Sequence, residues 1–334
     1  MQKERIIGYD VLKTIAVYSL VVYHFGRVNF GEFNEDGIYS PNVVKVLFEF
    51  LACCVPVFFI INGALVGDRK VGWWKVLKYL ILSTFYPLFF YAFVYPSVGF
   101  ESCPLQDMTL IEVLSYKKEY WFLATLAMLY VVNFIARKIK AERIMASILL
   151  ITPFLTNFIF SILIYINPGF VMPFWGHWGV FTLYSYVYFF FGNEYKLSIC
   201  DKRTYMLALC MFFIGWGILV FDVVSFSNYY KEIYDGVNAS FPTLGAAFLS
   251  CSMFLLIKDC KIKSVYLRKY VCFIGRNTMG VYVLHMFFIL FLRKYFVLHA
   301  INPMFVILLS ALIVNVTALI SEISSRTPLR SILK

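Results

Sequence analysis

Long apolar runs separated by short polar connections recur along the whole chain. Each run approaches the roughly 20 residues that a helix needs to cross a hydrocarbon core about 30 Å thick. Barrel strands would be about half that length and would alternate apolar and polar positions. The pattern therefore predicts an all-α, polytopic transmembrane helical bundle of about ten spans. The predicted spans are 6–26, 43–66, 76–98, 120–136, 145–166, 174–192, 205–225, 239–257, 274–292 and 300–321.

Composition and charge agree with a membrane protein and orient it. The chain is 61% hydrophobic and 15% charged, whereas ordinary soluble domains contain about 25% charged residues. Lysine and arginine concentrate in alternate connections, at 69–78, 137–143, 196–203 and 258–269, and at both ends of the chain. By the positive-inside rule both termini are predicted to be cytoplasmic. The net charge of +11 is thus mainly a topological signal, and nucleic acid is not expected as a partner.

The connections are too short for a separate soluble domain, so residues 1–334 are expected to form one membrane domain. No cleavable signal peptide is expected, because Asp10 and Lys13 interrupt the first apolar run. The four histidines and eight cysteines show no metal-ligand spacing, and no metal site is predicted.

The first span carries the ionisable residues Asp10, Lys13 and His24. Each costs roughly 2.5 kcal/mol or more inside a bilayer on insertion scales, which favours a polar cavity on one side of this helix. Asp10 and Lys13 are three residues apart and can neutralise each other. His24 lies on nearly the same face as Lys13, about 16 Å along the axis. The residues alone also allow a simple internal ion pair with an interfacial histidine.

Six segments, in order along the chain, resemble the acyltransferase-3 family of integral membrane acyltransferases. They are Arg5–His24, Val55–Leu65 with its Asn-Gly pair, Lys75-Val-Leu-Lys78, Trp121–Leu123 with Leu129-Tyr130, Phe190-Phe191-Gly192, and Ile274–His285. Lys13 stands where the family usually has an arginine; the charge is retained but the planar, bidentate grip on an anion is not. The short form of the chain is most similar to the surface-polysaccharide O-acetyltransferase branch.

The resemblance implies an enzyme of the bacterial inner membrane, surrounded by lipid, that moves an acetyl group from cytoplasmic acetyl-CoA to a hydroxyl of a lipid-linked or surface glycan. The basic inner edge would attract the anionic donor. Lys13 and Asp10 would line the path of its thioester arm. The donor-contact residues expected from this resemblance are Lys13, Arg69, Lys75, Lys78 and His285.

His24 is the expected general base, since imidazole can take a hydroxyl proton near neutral pH. An acyl-histidine intermediate is the other route open to it. Glu119, at the outer end of the fourth span, either orients His24 or extends to water at the interface. His285 lies deep in the ninth span, where it lines the acyl path or serves polar packing.

Two other functions fit parts of the pattern. A secondary transporter or flippase would use the intramembrane charges as a relay, although no paired arrangement of broken helices is evident. A membrane scaffold would use the polar residues only to specify helix packing. The residues do not identify the glycan, the modified hydroxyl or the oligomeric state, and they do not separate acetyl from succinyl donors.

Overall fold

The computed structural model describes residues 5–30, 41–66, 71–89, 93–94, 121–140, 144, 181–198, 201–226, 244–295 and 303–327. Over these residues the backbone is helical and contains no strand, which confirms the all-α fold class. The helices are α1 (Ile7–Phe30), α2 (Pro41–Ala52), α3 (Cys54–Val66), α4 (Trp73–Phe89), α5 (Trp121–Lys138), α6 (Phe181–Tyr195), α7 (Lys202–Phe226), α8 (Leu244–Ile257), α9 (Val265–Tyr295) and α10 (Pro303–Ser324).

Four helical stretches among these residues are long and apolar enough to cross a membrane: Glu49–Val66, Lys202–Phe221, Val265–Leu292 and Met304–Ser324. Helix α1 is 24 residues long but falls outside this set, since its ionisable residues lower its hydropathy. The predicted span 145–166 lies outside the described residues. The total of ten spans and the cytoplasmic termini therefore remain predictions.

The predicted span 43–66 consists of two helices, α2 and α3, which meet at Cys53. Pro56 explains the break. Its nitrogen carries no hydrogen for the carbonyl of residue 52, and its ring collides with that carbonyl in a regular helix. Helix α2 accordingly ends at Ala52.

Helix α1 is the central element of the described bundle. It contacts α3, α9 and α10, and also α2 and α8. Leu12, Val17, Val21 and Phe25 are fully buried on different sides of the helix. Because α1 is covered on several sides, the ionisable residues that it carries lie among other helices.

Helices α3 and α6 pack with their backbones in close contact at two glycines. A Cβ on Gly63 would collide with the carbonyl oxygen of Phe189, and a Cβ on Gly192 with that of Ile60. Small residues allow this close approach between membrane helices. The Asn62-Gly63 and Phe190-Phe191-Gly192 segments are thereby brought together.

Hydrogen bonds in a closed ring join α1, α9 and α10. Asn315 donates from Nδ2 to the Tyr18 hydroxyl at 3.0 Å, and the Tyr270 hydroxyl donates to Asn315 Oδ1 at 3.1 Å. The two tyrosine hydroxyls also contact each other. Since the Tyr270 proton is already used, Tyr18 is the donor in that contact. Each hydroxyl in the ring therefore both donates and accepts.

Lys258, just after α8, is a buried cation that binds the end of α6. Only 1% of the residue is exposed. Its Nζ donates to the carbonyl of Tyr195 at 3.2 Å and contacts both the carbonyl and the hydroxyl of Ser198. The last carbonyls of a helix have no partner inside it, so a lysine there supplies the missing donors.

We expect Lys258→Met to lower the free energy of unfolding by about 1–3 kcal/mol, because the buried carbonyls lose their donor. Thermal unfolding in detergent would report this as a lower Tm. Lys261→Met is the matched control, since Lys261 is exposed and lies three residues further on. Equal Tm values for the two variants would contradict the structural role of Lys258.

Candidate active site

An ion pair that the sequence did not predict lies at the N-terminal end of α1. Arg5 binds the Asp10 carboxylate through Nε and through Nη2, the latter at 2.9 Å from Oδ1. Nη2 also donates to the carbonyl of Cys272 at 3.0 Å, while the Asp10 side chain lies against Gly275. The hydrogen bond to Asp10 raises the pKa of the Arg5 guanidinium above its usual value. Asp10, only 3% exposed, is therefore neutralised by Arg5 and fastened to α9.

Lys13 lies one turn beyond Asp10 on α1 and is not part of this ion pair. It is half-buried, and it forms no hydrogen bond or ion pair with any residue in the part of the chain that the structure describes. Asp10, the partner expected from the spacing, pairs with Arg5 instead. Lys13 is thus a candidate contact for an anionic ligand.

His24 and His285 lie next to each other. Their ring centroids are 5.3 Å apart and the rings are tilted by 46°. His24 is half-buried on α1, and His285 on α9 is 1% exposed. Two imidazoles from helices far apart in the sequence thus form one polar cluster, which we call the histidine pair.

The hydrogen bonds of His285 determine its tautomer. Its Nδ1 lies 2.7 Å from the carbonyl oxygen of Tyr282 and 3.2 Å from that of Val281. Carbonyl oxygens only accept, so Nδ1 carries the hydrogen and Nε2 presents a lone pair. That Nε2 is buried and has no hydrogen-bond partner among the described residues.

Lys75 and Lys78 form a second polar cluster with two tyrosines. The Lys75 ammonium lies 5.0 Å from the ring centroid of Tyr130 and 5.9 Å from that of Tyr79, and the Lys78 ammonium lies 6.0 Å from the Tyr79 ring. The Tyr130 hydroxyl donates to Asn62 Oδ1 at 3.1 Å. We call Lys75, Lys78, Tyr79, Tyr130 and Asn62 the lysine cluster. The faces of aromatic rings attract a lysine ammonium electrostatically and hold it in place.

Helix α5 connects the two clusters. At one end, the ring of Phe122 lies 5.5 Å from that of Tyr282, which is 6.0 Å from His285. Eight residues along the helix, or about 12 Å, Tyr130 contacts Lys75. Lys13 and His24 are likewise separated along α1, by about 16 Å. Along α1 and along α5, the cations and the imidazoles therefore lie at different heights.

The expected site residues fall into separate groups. Glu119 and Arg69 lie outside the described residues. Lys75 is exposed and Lys78 half-buried, while His285 lies beside His24 and not among the lysines. Sequence reasoning missed Arg5 as the partner of Asp10, although its place just before the first helix allows its long side chain to reach back along the first turn.

Apolar helices that can cross a membrane, packed around a central helix with ionisable residues, define a multi-pass helical membrane protein. The family model for acyltransferase-3, described as an acyltransferase domain, matches residues 6–322. The chain belongs to this family of membrane acyltransferases. No curated protein and no solved structure matches the chain.

Proposed function

We propose that the protein is a membrane O-acetyltransferase that moves an acetyl group from cytoplasmic acetyl-CoA to a hydroxyl of a lipid-linked or surface glycan, in the bacterial inner membrane. Lys13 and the lysine cluster attract the anionic donor, and His24 is the general base. The observation that supports this best is the face of α1 on which Lys13, which forms no ion pair with the described residues, precedes by about three turns a histidine packed on a second histidine.

The reaction needs one proton acceptor and a path for the thioester. His24 takes the proton of the acceptor hydroxyl while the hydroxyl oxygen attacks the thioester carbonyl. The new C–O bond forms, the C–S bond breaks, and the CoA thiolate leaves with the electron pair. The protonated imidazole then returns its proton to the thiolate or to solvent. His24 is neutral again at the end of the cycle, so the same histidine can act as the base in the next turnover.

The separation of the charges supports this assignment over a purely structural role. The phosphates of acyl-CoA need cations, whereas the acceptor hydroxyl that attacks the thioester, at the other end of the donor, needs a base. Lys13 lies about 16 Å from His24 along α1, which an extended thioester arm can bridge. Since Asp10 is ion-paired with Arg5, it forms no salt bridge with Lys13 that an anionic donor would have to displace.

The test is transfer of labelled acetyl groups in membranes that contain the protein. With acetyl-CoA as donor, mass spectrometry of the surface and lipid-linked glycans should show a gain of one acetyl group per modified sugar. Membranes from cells without the protein are the control. If the glycans gain no acetyl group, the proposed reaction is wrong. Uptake or flipping of glycan lipids in proteoliposomes without acyl transfer would establish a transporter.

Lys13→Met is expected to raise the KM for acetyl-CoA about 10-fold, the equivalent of about 1.4 kcal/mol of lost donor attraction. Lys13→Arg, which retains the charge, should restore the donor KM to within a few-fold of the wild-type value. Initial rates at varied acetyl-CoA concentration measure both. Lys202→Met, at an exposed position, is the matched control. An unchanged KM in Lys13→Met would show that Lys13 does not contact the donor.

A further inference from the structure

The histidine pair contains an unsatisfied acceptor that the reaction as proposed does not use. We propose that His285 is a positioning residue for His24: its Nε2 accepts the N–H of His24 and so holds the base in one tautomer and one orientation. This inference rests on the proposed acyl transfer. It replaces the donor-contact role that the sequence suggested for His285.

The argument begins with the backbone of α9. The carbonyl of Tyr282, 2.7 Å away, holds the Nδ1 hydrogen of His285, so the ring presents only a lone pair at Nε2. A buried acceptor without a partner costs about 1–3 kcal/mol. Nε2 is such an acceptor within the described residues. A group that supplies an N–H to it would remove that cost.

His24 is placed to supply this hydrogen. With ring centroids 5.3 Å apart, nitrogens on the facing edges of two imidazoles can come to roughly 3 Å, the usual hydrogen-bond distance. The rings are tilted by 46°, and a rotation of the His24 ring would align its N–H with Nε2 of His285. His285 itself cannot turn without giving up its bond to Tyr282.

His24 and His285 would play the parts that the histidine and the acidic residue play in the catalytic triad of hydrolases. There, an acceptor behind the histidine fixes the tautomer and stabilises the imidazolium that forms when the proton is transferred. Here the acceptor is a neutral imidazole. One nitrogen of His24 donates to His285, and the other has its lone pair directed at the acceptor hydroxyl. No carboxylate is then needed behind His24.

Positioning and donor contact have different kinetic signatures. If His285 orients the base, removing its acceptor lowers kcat and leaves the KM for acetyl-CoA unchanged, because the donor is still bound. If His285 touches the donor, the KM rises. If the residue only fills space, an apolar side chain of similar size leaves both values unchanged.

The experiment compares His285→Gln, His285→Asn and His285→Leu with the wild type in the labelled acetyl-CoA assay. Glutamine carries its amide oxygen near the position of Nε2, whereas asparagine carries its amide near Nδ1. We expect His285→Leu and His285→Asn to lower kcat about 100-fold with a donor KM within 2-fold of the wild type. His285→Gln should recover at least 10-fold of that loss. Met286→Leu, a buried neighbour on α9, is the matched control.

Each outcome decides the proposal. Recovery by glutamine but not by asparagine, at constant donor KM, supports it. Equal activity of the glutamine and asparagine variants overturns it, as does a raised donor KM with kcat retained. The glutamine–asparagine comparison holds even if the leucine variant fails to fold. An absence of acyl transfer in the wild type would instead refute the proposed function itself.

Discussion

Replacing His24 with alanine is expected to lower the rate of acetyl transfer by about 10²–10⁴-fold, the usual contribution of a positioned general base. The residue is half-buried beside His285, on the helix that lies at the centre of the described bundle. An alanine there leaves the acceptor hydroxyl without a proton acceptor, while Lys13 and the lysine cluster still attract the donor. The KM for acetyl-CoA should therefore stay near its wild-type value.

The measurement is the initial rate of label transfer from acetyl-CoA to glycan, with membrane levels of the protein matched by immunoblot and its folding checked by gel filtration in detergent. His299→Ala is the control for loss of a histidine, since His299 is not among the expected site residues. Full activity of His24→Ala would remove His24 from the mechanism. Loss of activity in both variants would mean that the effect is not specific to His24.

The same assay separates the two routes open to His24. Without an acceptor glycan, a general base leaves the protein unlabelled, whereas a nucleophilic histidine accumulates an acetyl-imidazole. Brief incubation of purified protein with labelled acetyl-CoA, followed by peptide mass spectrometry, distinguishes them. We expect no label on His24.

The sequence predicts the all-α class because long apolar runs need no tertiary information to be recognised. The shared face of Lys13 and His24 is also predictable, since it follows from the helical repeat alone. The break between α2 and α3 had a local signal in Pro56, but hydropathy alone masks it because both helices are apolar. Periodicity predicts which side chains share a helix face, but it says little about where a helix ends.

Contacts between helices that are far apart in the sequence could not be predicted from the sequence pattern. His24 and His285 are brought together only by the packing of α1 against α9, and no spacing in the chain encodes that. The lysine cluster likewise joins Asn62, Lys75 and Tyr130 from three helices. The resemblance placed these segments in order along the chain. Their convergence depends on the close contact of α3 with α6 at Gly63 and Gly192 and on the packing of α4 against α5.

The pairing of Asp10 shows how a local rule can be overridden. A spacing of three residues favours Lys13 as partner, but such a pair on a helix surface gains only a few tenths of a kcal/mol. Arg5 offers two hydrogen bonds to the carboxylate and a third to the carbonyl of Cys272. A bidentate guanidinium is the stronger partner for a buried carboxylate. Lys13 is thereby left outside this ion pair.

Arg5→Met is expected to destabilise the protein by on the order of 3 kcal/mol, because it leaves the Asp10 carboxylate buried without a partner. This value is at the lower end for broken buried pairs, since 41% of the Arg5 side chain is exposed. The apparent free energy of unfolding, from titration with a denaturing detergent, measures the loss. Arg203→Met, at an exposed position on α7, is the matched control and should change it by less than about 0.5 kcal/mol.

The double variant Arg5→Met/Asp10→Asn separates structure from chemistry. Asparagine fits the space of Asp10 against Gly275 and carries no charge, so most of the stability should return. If acetyl transfer returns with it, Asp10 serves to fasten α1 to α9. If the double variant is stable but inactive, the Asp10 carboxylate acts on the substrates directly. Fastening α1 to α9 would then not be its whole function.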